Sequence, residues 1–304
     1  MAKGPIAINV EYAALRSVCA LVNAIPYPLA IACARGLARF LFSVVRLKRA
    51  RTLGRIRSVF PDMDARRAKE VALGSLANVL MNAVEMMRAP KLDRAWMDRH
   101  VREGLLYKDR LQALADEGHG VVVMVPHSGN WYMAAWSMAK YGLPLFAIAA
   151  RQRNPKLDAW MNRQYGDIEV LDRDCRDTLV KIRQKLREGR VFAILPDLRV
   201  RKRDVAADFL GGKANVSHAG AMFAVRAGAP VVVAVMSRQD GRHVFNHLAT
   251  LRPDPAAADP KAEAARLTRE ALRLMDAEIR RRPHEWFWYN KRWILEPVKE
   301  EDQK

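Results

Sequence analysis

His127 is the residue of this chain best placed for acid–base chemistry. It stands in VVVMVPHSGNWYMAAW, Val121 to Trp136, where an apolar run reaches a Pro and a His is followed by Ser-Gly-Asn. The run reads as a buried strand and the segment from about Gly129 or Asn130 as a helix. A His there feels the positive end of the helix dipole, which disfavours the imidazolium and keeps the ring a neutral base. Unpaired amides of a first turn can hold a developing oxyanion. Gly129 and Asn130 are small enough to let a substrate approach the backbone. Such a site suits abstraction of a hydroxyl proton for acyl transfer. The same residues also suit a structural His, and a catalytic one needs an acid to orient it.

Other chemistries find no footing. The sequence has no G-x-G-x-x-G, no Walker loop and no G-x-S-x-G elbow. His243 and His247 share a strand face but have no third ligand near in sequence, so neither a metal nor a cofactor is implied. Cys19, Cys33 and Cys175 are too few and too scattered for a disulfide framework, which fits a reducing compartment.

The chain has 304 residues, half of them apolar, with 52 Lys and Arg against 33 Asp and Glu, a formal net charge of +19. An anionic partner follows: nucleic acid, an anionic membrane face or an acidic carrier protein. No nucleic-acid-binding module is recognisable, so nucleic acid is not expected. The start lacks the charge pattern and cleavage site of a signal peptide. Residues 12–45 carry only three charges, Arg16, Arg35 and Arg39, and are broken by Pro26 and Pro28. Two helices around that Pro pair form an apolar hairpin expected to be too short to span a bilayer. Six basic residues and no acid follow between Arg46 and Arg57. Hairpin plus basic segment read as an interfacial anchor on an anionic leaflet, or else as a helical pair on the core.

From Pro61 an amphipathic helix is expected, with Asp64 as N-cap and Pro90 as stop, and another over Glu103 to Ala115. Short apolar runs at 121–126, 145–150, 168–171, 191–196 and 230–236 alternate with amphipathic stretches. They predict a single α/β domain with a central mixed, mainly parallel sheet covered by helices. Residues 243–251 add a strand antiparallel to its predecessor across a short turn. A long helix follows, and then PHEWFWYNKRWILEP, whose aromatics suit a clamp on the sheet edge or an interfacial lid. The division expected is a membrane-associating extension at 1–57 and a catalytic domain at 58–304.

The segments HSGNW (127–131), RQRNPKLDAWMNRQYG (151–166), LREGRVFAILPD (186–197), FLGG with AGAMFAVRAGAPVVVAVM (209–236) and PHEWFWYNKRW resemble the lipid A late acyltransferases, members of the lysophospholipid acyltransferase group. The likeness spans nearly the whole chain and rests on no single motif. It implies an enzyme on the cytoplasmic face of the bacterial inner membrane that moves a fatty acyl chain from acyl carrier protein to a hydroxyl of a glycolipid precursor. His127 is then the base. The family places Glu or Asp five residues after this His, where Tyr132 stands here; a phenol brings no negative charge at neutral pH. The family's Arg four residues before the Asn of Asn-Pro is Ala150 here, so Arg151 takes its place by a shift of one, or Arg153 or Arg163 contacts phosphate beside Asn154. Leu198 replaces a polar residue after Pro196-Asp197. Asp197, at the end of a predicted strand where α/β sheets build their sites, is the leading substitute acid; otherwise Tyr132 serves as a neutral orienter. The remaining alternative is a degenerate member that binds lipid or regulates a partner.

Overall fold

The computed structural model describes residues 4–297. The first three residues of the expected extension, and 298–304 at the end of the expected catalytic domain, lie outside the described residues. Helices α1 (Pro5–Ala24) and α2 (Tyr27–Ser43) meet at the Pro pair, and α3 (Arg49–Val59) and α4 (Ala65–Arg88) follow. The first two pack on α4 rather than on each other as the expected hairpin. The Asp64 side chain accepts from the Arg67 amide and caps α4, a contact worth about 1 kcal/mol. Then come α5 (Arg94–His100), β1 (Val101–Arg102), α6 (Gly104–Ala115), β2 (Val121–Met124), α7 (Trp131–Lys140), β3 (Leu145–Ala149), α8 (Pro155–Tyr165) and β4 (Glu169–Asp172). The chain continues through α9 (Thr178–Arg187), β5 (Val191–Ile194), β6 (Val205–Phe209), β7 (Gly212–Val216), α10 (Ala219–Ala227), β8 (Val231–Gln239), β9 (Arg242–Leu251) and α11 (Pro260–Arg281).

Seven strands form one sheet in the order β1-β9-β8-β2-β5-β3-β4, parallel except for the β8–β9 pair. Alternation along β2 builds two cores. Val121 and Val123 face Leu111, Met133 and Trp136, whereas Val122 and Met124 face Phe223 and Leu272 on the other side. Both faces being covered explains why the strands read as unbroken apolar runs.

The small hairpin β6–β7 was not foreseen. Its turn sets Leu210 and Gly211 at φ of 51° and 79°, and a Leu at positive φ gives no turn signal. The basic segment also departs from expectation. Arg55 is buried, donates to the Trp288 and Asn290 carbonyls and lies 4.9 Å over the Trp293 ring; Arg51 donates to the Asn290 carbonyl as well. Those two arginines clamp the C-terminal aromatic segment onto α3. The first two helices and the residue after them leave Ile6, Val10, Leu21, Leu29, Phe40 and Val44 exposed. Contrary to the expectation of a hairpin too short to span, the 20 residues of α1 are long and apolar enough, by length and composition, to cross a membrane.

Candidate active site

The register of the sheet brings the two candidate residues together. Parallel pairing sets Met124 of β2 beside Ile194 of β5, and His127 and Asp197 lie three residues beyond each. They therefore leave the carboxyl ends of neighbouring strands at the same height, where open α/β sheets place ligands. The His127 Nδ1 lies 2.7 Å from Asp197 Oδ1, and the His127 amide donates to Asp197 Oδ2 at 2.8 Å. The Trp286 indole donates to the same Oδ2 at 2.9 Å. Asp197 is fully buried. Burial opposes its ionisation, but His127 and these donors outweigh that and hold the carboxyl below its ordinary value. An ionised Asp197 can only accept, so Nδ1 carries the proton and Nε2 is left as the basic nitrogen.

The turn that presents His127 is pinned on every side. The Phe287 amide donates to the His127 carbonyl at 2.9 Å, and the Gly129 amide donates to the Glu285 carbonyl at 3.1 Å, a short antiparallel bridge to the C-terminal segment. The Asn130 amide donates to the Met236 carbonyl, and the Gly129 carbonyl accepts from both Asn78 and Asn82. Gly129 has φ of 58°, and a Cβ there would sit 1.6 Å from the Met236 carbonyl oxygen. Gly129→Ala is expected to cost more than about 2 kcal/mol and to displace His127; urea unfolding within about 0.5 kcal/mol of wild type would contradict this.

Beneath the turn lies a buried polar cluster that the sequence did not disclose. Glu85 accepts from Asn130 Nδ2 at 2.5 Å, from Tyr27 at 2.7 Å and from both terminal nitrogens of Arg238 at 2.9 and 2.5 Å. Arg238 also donates to Asn78 and Asn82, and His243 Nε2 lies 3.0 Å from Glu85. Burial opposes a charge on Glu85, yet its cationic partners hold the carboxyl well below the usual range. Burial also pushes His243 down, so Arg238 is the cation that sustains the ion pair. Removing it strands a buried carboxylate: Arg238→Met is expected to lose about 3–5 kcal/mol of stability. A denaturation midpoint equal to wild type would overturn that assignment.

His127 lines a cavity of about 530 Å³ whose walls are chiefly apolar, among them Trp131, Tyr132, Trp136, Tyr165, Phe223 and Phe245. That volume suits a single hydrocarbon chain. Leu179 and Leu198, which also line it, are exposed, and Arg173 adds a cation.

The other expected site residues are placed differently. Tyr132 is a wall of the cavity, its ring stacked on Trp136 at 5.7 Å, and the carboxylate that contacts the His127 ring is that of Asp197. Gly129 and Asn130 support the turn; Asn130 is buried, and its oxygen caps α7 through the Met133 amide. Asn154 is buried as the cap of α8 and donates to the Ile8 carbonyl and to Glu11. Arg151 is exposed and pairs with Asp172 at 2.7 Å, while Arg153 and Arg163 are exposed too. None of the three lines the cavity. Of the amides near the start of α7, those of His127, Gly129, Asn130 and Met133 are engaged, whereas those of Trp131 and Tyr132 have no partner among the described residues.

The family model for bacterial lipid A biosynthesis acyltransferases matches residues 10–294. The chain belongs to that family. The match takes in most of α1, the strands β2 and β5 whose ends bring His127 and Asp197 together, and the C-terminal aromatic segment of this acyltransferase. A phosphatidylinositol mannoside acyltransferase of Mycolicibacterium smegmatis is 26% identical over 260 residues, covering 83% of this chain and 79% of the relative. One from Mycobacterium tuberculosis is 24% identical over 221 residues, 70% of this chain and 66% of that protein. As an acyltransferase the chain acts on lipid or glycolipid, and its exposed N-terminal apolar helix is compatible with membrane association.

Proposed function

We propose that this acyltransferase moves a fatty acyl chain from an acyl-carrier-protein thioester to a hydroxyl of a lipid A precursor or related glycolipid, with His127 as general base and Asp197 as the acid that orients it. The observation that carries this reading is the 2.7 Å contact between Nδ1 and a fully buried carboxylate, which directs Nε2 toward proton abstraction. The Nε2 nitrogen takes the acceptor's hydroxyl proton as the oxygen attacks the thioester carbonyl. The oxyanion forms beside the start of α7, where the Trp131 and Tyr132 amides are free to donate. Collapse breaks the carbon–sulfur bond, and the imidazolium returns the proton to the departing thiolate. The donor's chain occupies the apolar cavity. The occupied acid position speaks against a degenerate, merely lipid-binding member.

The +19 charge suits an acidic carrier protein and a phosphorylated acceptor. Arg151, Arg153 and Arg163 serve, in this reading, as phosphate contacts outside the cavity. Residues 1–57 form the membrane-associating extension on the cytoplasmic face of the inner membrane, and 58–304 the acyltransferase domain. The similar phosphatidylinositol mannoside acyltransferases favour a mannosylated phosphoinositide as a second class of acceptor.

The test offers the purified full chain an acyl-carrier-protein thioester, or the corresponding coenzyme A thioester, with each acceptor class, and follows the acceptor by mass spectrometry. One added acyl ester is expected. Thioester hydrolysis with no acylated acceptor in any combination would remove the reading.

A further inference from the structure

A second cavity, of about 380 Å³, lies between α2 and α4, apart from the one that His127 lines. Leu73, Gly74, Ala77 and Met81 give it an apolar wall from one face of α4, and Arg35 and Arg39, one turn apart on α2, border it. Both arginines are exposed, and neither has a hydrogen-bond or ion-pair partner among the described residues. Of the two acids that line it, Glu70 is paired with Arg66 and Arg67 on its own helix, and Glu285 is buried and accepts from the Arg238 amide. Neither is paired with Arg35 or Arg39.

Two guanidinium groups a turn apart match a phosphate diester. The apolar wall between them and the core does not match a free ion; it matches the glycerol backbone and first methylenes of a lipid. The same helix exposes Leu37 and Phe40, 47% and 52% accessible. Those side chains flank the arginines in sequence and form the apolar face that an interfacial helix lays into a bilayer. A lipid can therefore enter the cleft from the leaflet on which α2 rests.

We propose that the cleft between α2 and α4 is a binding site for one anionic phospholipid, its phosphate held by Arg35 and Arg39 and its upper chain laid against Leu73, Ala77 and Met81. The site is independent of turnover, and its test needs no activity.

The experiment measures cosedimentation of the full-length protein with vesicles of phosphatidylcholine alone and of phosphatidylcholine containing phosphatidylglycerol. Arg35→Ala/Arg39→Ala is compared with Arg183→Ala/Arg187→Ala, which removes the same charge at the same spacing from α9. All four residues are at helix positions where Ala is well tolerated; unchanged thermal unfolding confirms the fold. The first variant is expected to lose about tenfold in affinity for the anionic vesicles, the second less than about twofold, and neither to change on phosphatidylcholine. Equal losses in the two variants would reduce the effect to general charge and overturn the proposal, as would no loss in the first. A parallel titration with inorganic phosphate separates the sources. Tight binding of phosphate that depends on Arg35 and Arg39, with vesicle binding unchanged in their absence, would show a free-anion site and overturn the lipid.

Discussion

His127→Ala lowers kcat for acyl transfer by roughly 10⁴ to 10⁶, with KM for the acyl donor little changed. The range is that of serine hydrolases, in which loss of the base leaves only binding and oxyanion stabilisation. His127 is the only His that lines the apolar cavity, so no other described imidazole is placed to substitute. Donor affinity rests on the cavity walls, which the substitution leaves in place, and the fall therefore belongs to kcat. Steady-state kinetics with a fixed acceptor and varied thioester separates the two constants. A variant within about tenfold of wild type would mean that the attacking hydroxyl loses its proton to another group.

Asp197→Asn is the second large effect, on the order of 10⁴ in kcat by the same comparison. The carboxylate accepts from three donors, His127 Nδ1, the His127 amide and the Trp286 indole. An amide keeps one accepting oxygen and adds two N–H groups. If the oxygen stays with the amide and the indole, the NH2 faces Nδ1 and selects the tautomer whose Nε2 carries the proton and cannot act as base. If it turns to Nδ1, two buried donors lose their acceptor, at about 1–3 kcal/mol. A modest drop in unfolding free energy is thus expected beside the kinetic loss, and the rate must be read per folded molecule.

Much of this was legible in the sequence for particular reasons. The apolar runs announced the strands because both sheet faces are covered, and the short Gln239-Asp240-Gly241 turn announced the antiparallel edge that β8 and β9 form. His127 was legible because a strand end, a Gly and an Asn cap converge on it. Asp197 could be ranked only by its place at the end of a predicted strand. What ties it to His127 is the β2–β5 register, and register between strands about 70 residues apart is set by packing that no local pattern encodes.

The structural contacts that the sequence hid share one cause. Asn130, Asn154, Arg51 and Arg55 are polar residues in or near recognisable motifs, and polarity alone does not tell a ligand contact from a cap or clamp. Each is resolved by a partner distant in sequence: Glu85 for Asn130, Ile8 for Asn154, Asn290 for the two arginines. The buried cluster of Glu85, Arg238 and His243 was hidden for the same reason. Its members lie on α4, β8 and β9 and meet only when the sheet is assembled. Trp286 had a signal, the aromatic density of its segment, but its indole donor to Asp197 did not.

The departure at Tyr132 has a physical resolution. If, as proposed, Asp197 beyond the end of β5 is the acid, the position five residues after His127 is free to serve the cavity, and an aromatic ring stacked on Trp136 suits an apolar wall better than a carboxylate. The phenol is largely buried, and burial pushes its pKa up, so it brings no anion to His127 at neutral pH.

One comparison decides which residue is the acid behind the base: the rate of acyl transfer by Asp197→Asn and by Tyr132→Phe, each per folded molecule and at the same pH. Tyr132→Phe keeps the ring in the cavity wall and should stay within about threefold of wild type, while Asp197→Asn should be slower by roughly 10⁴. An Asp197→Asn enzyme that remains fast while Tyr132→Phe is silent would contradict the dyad.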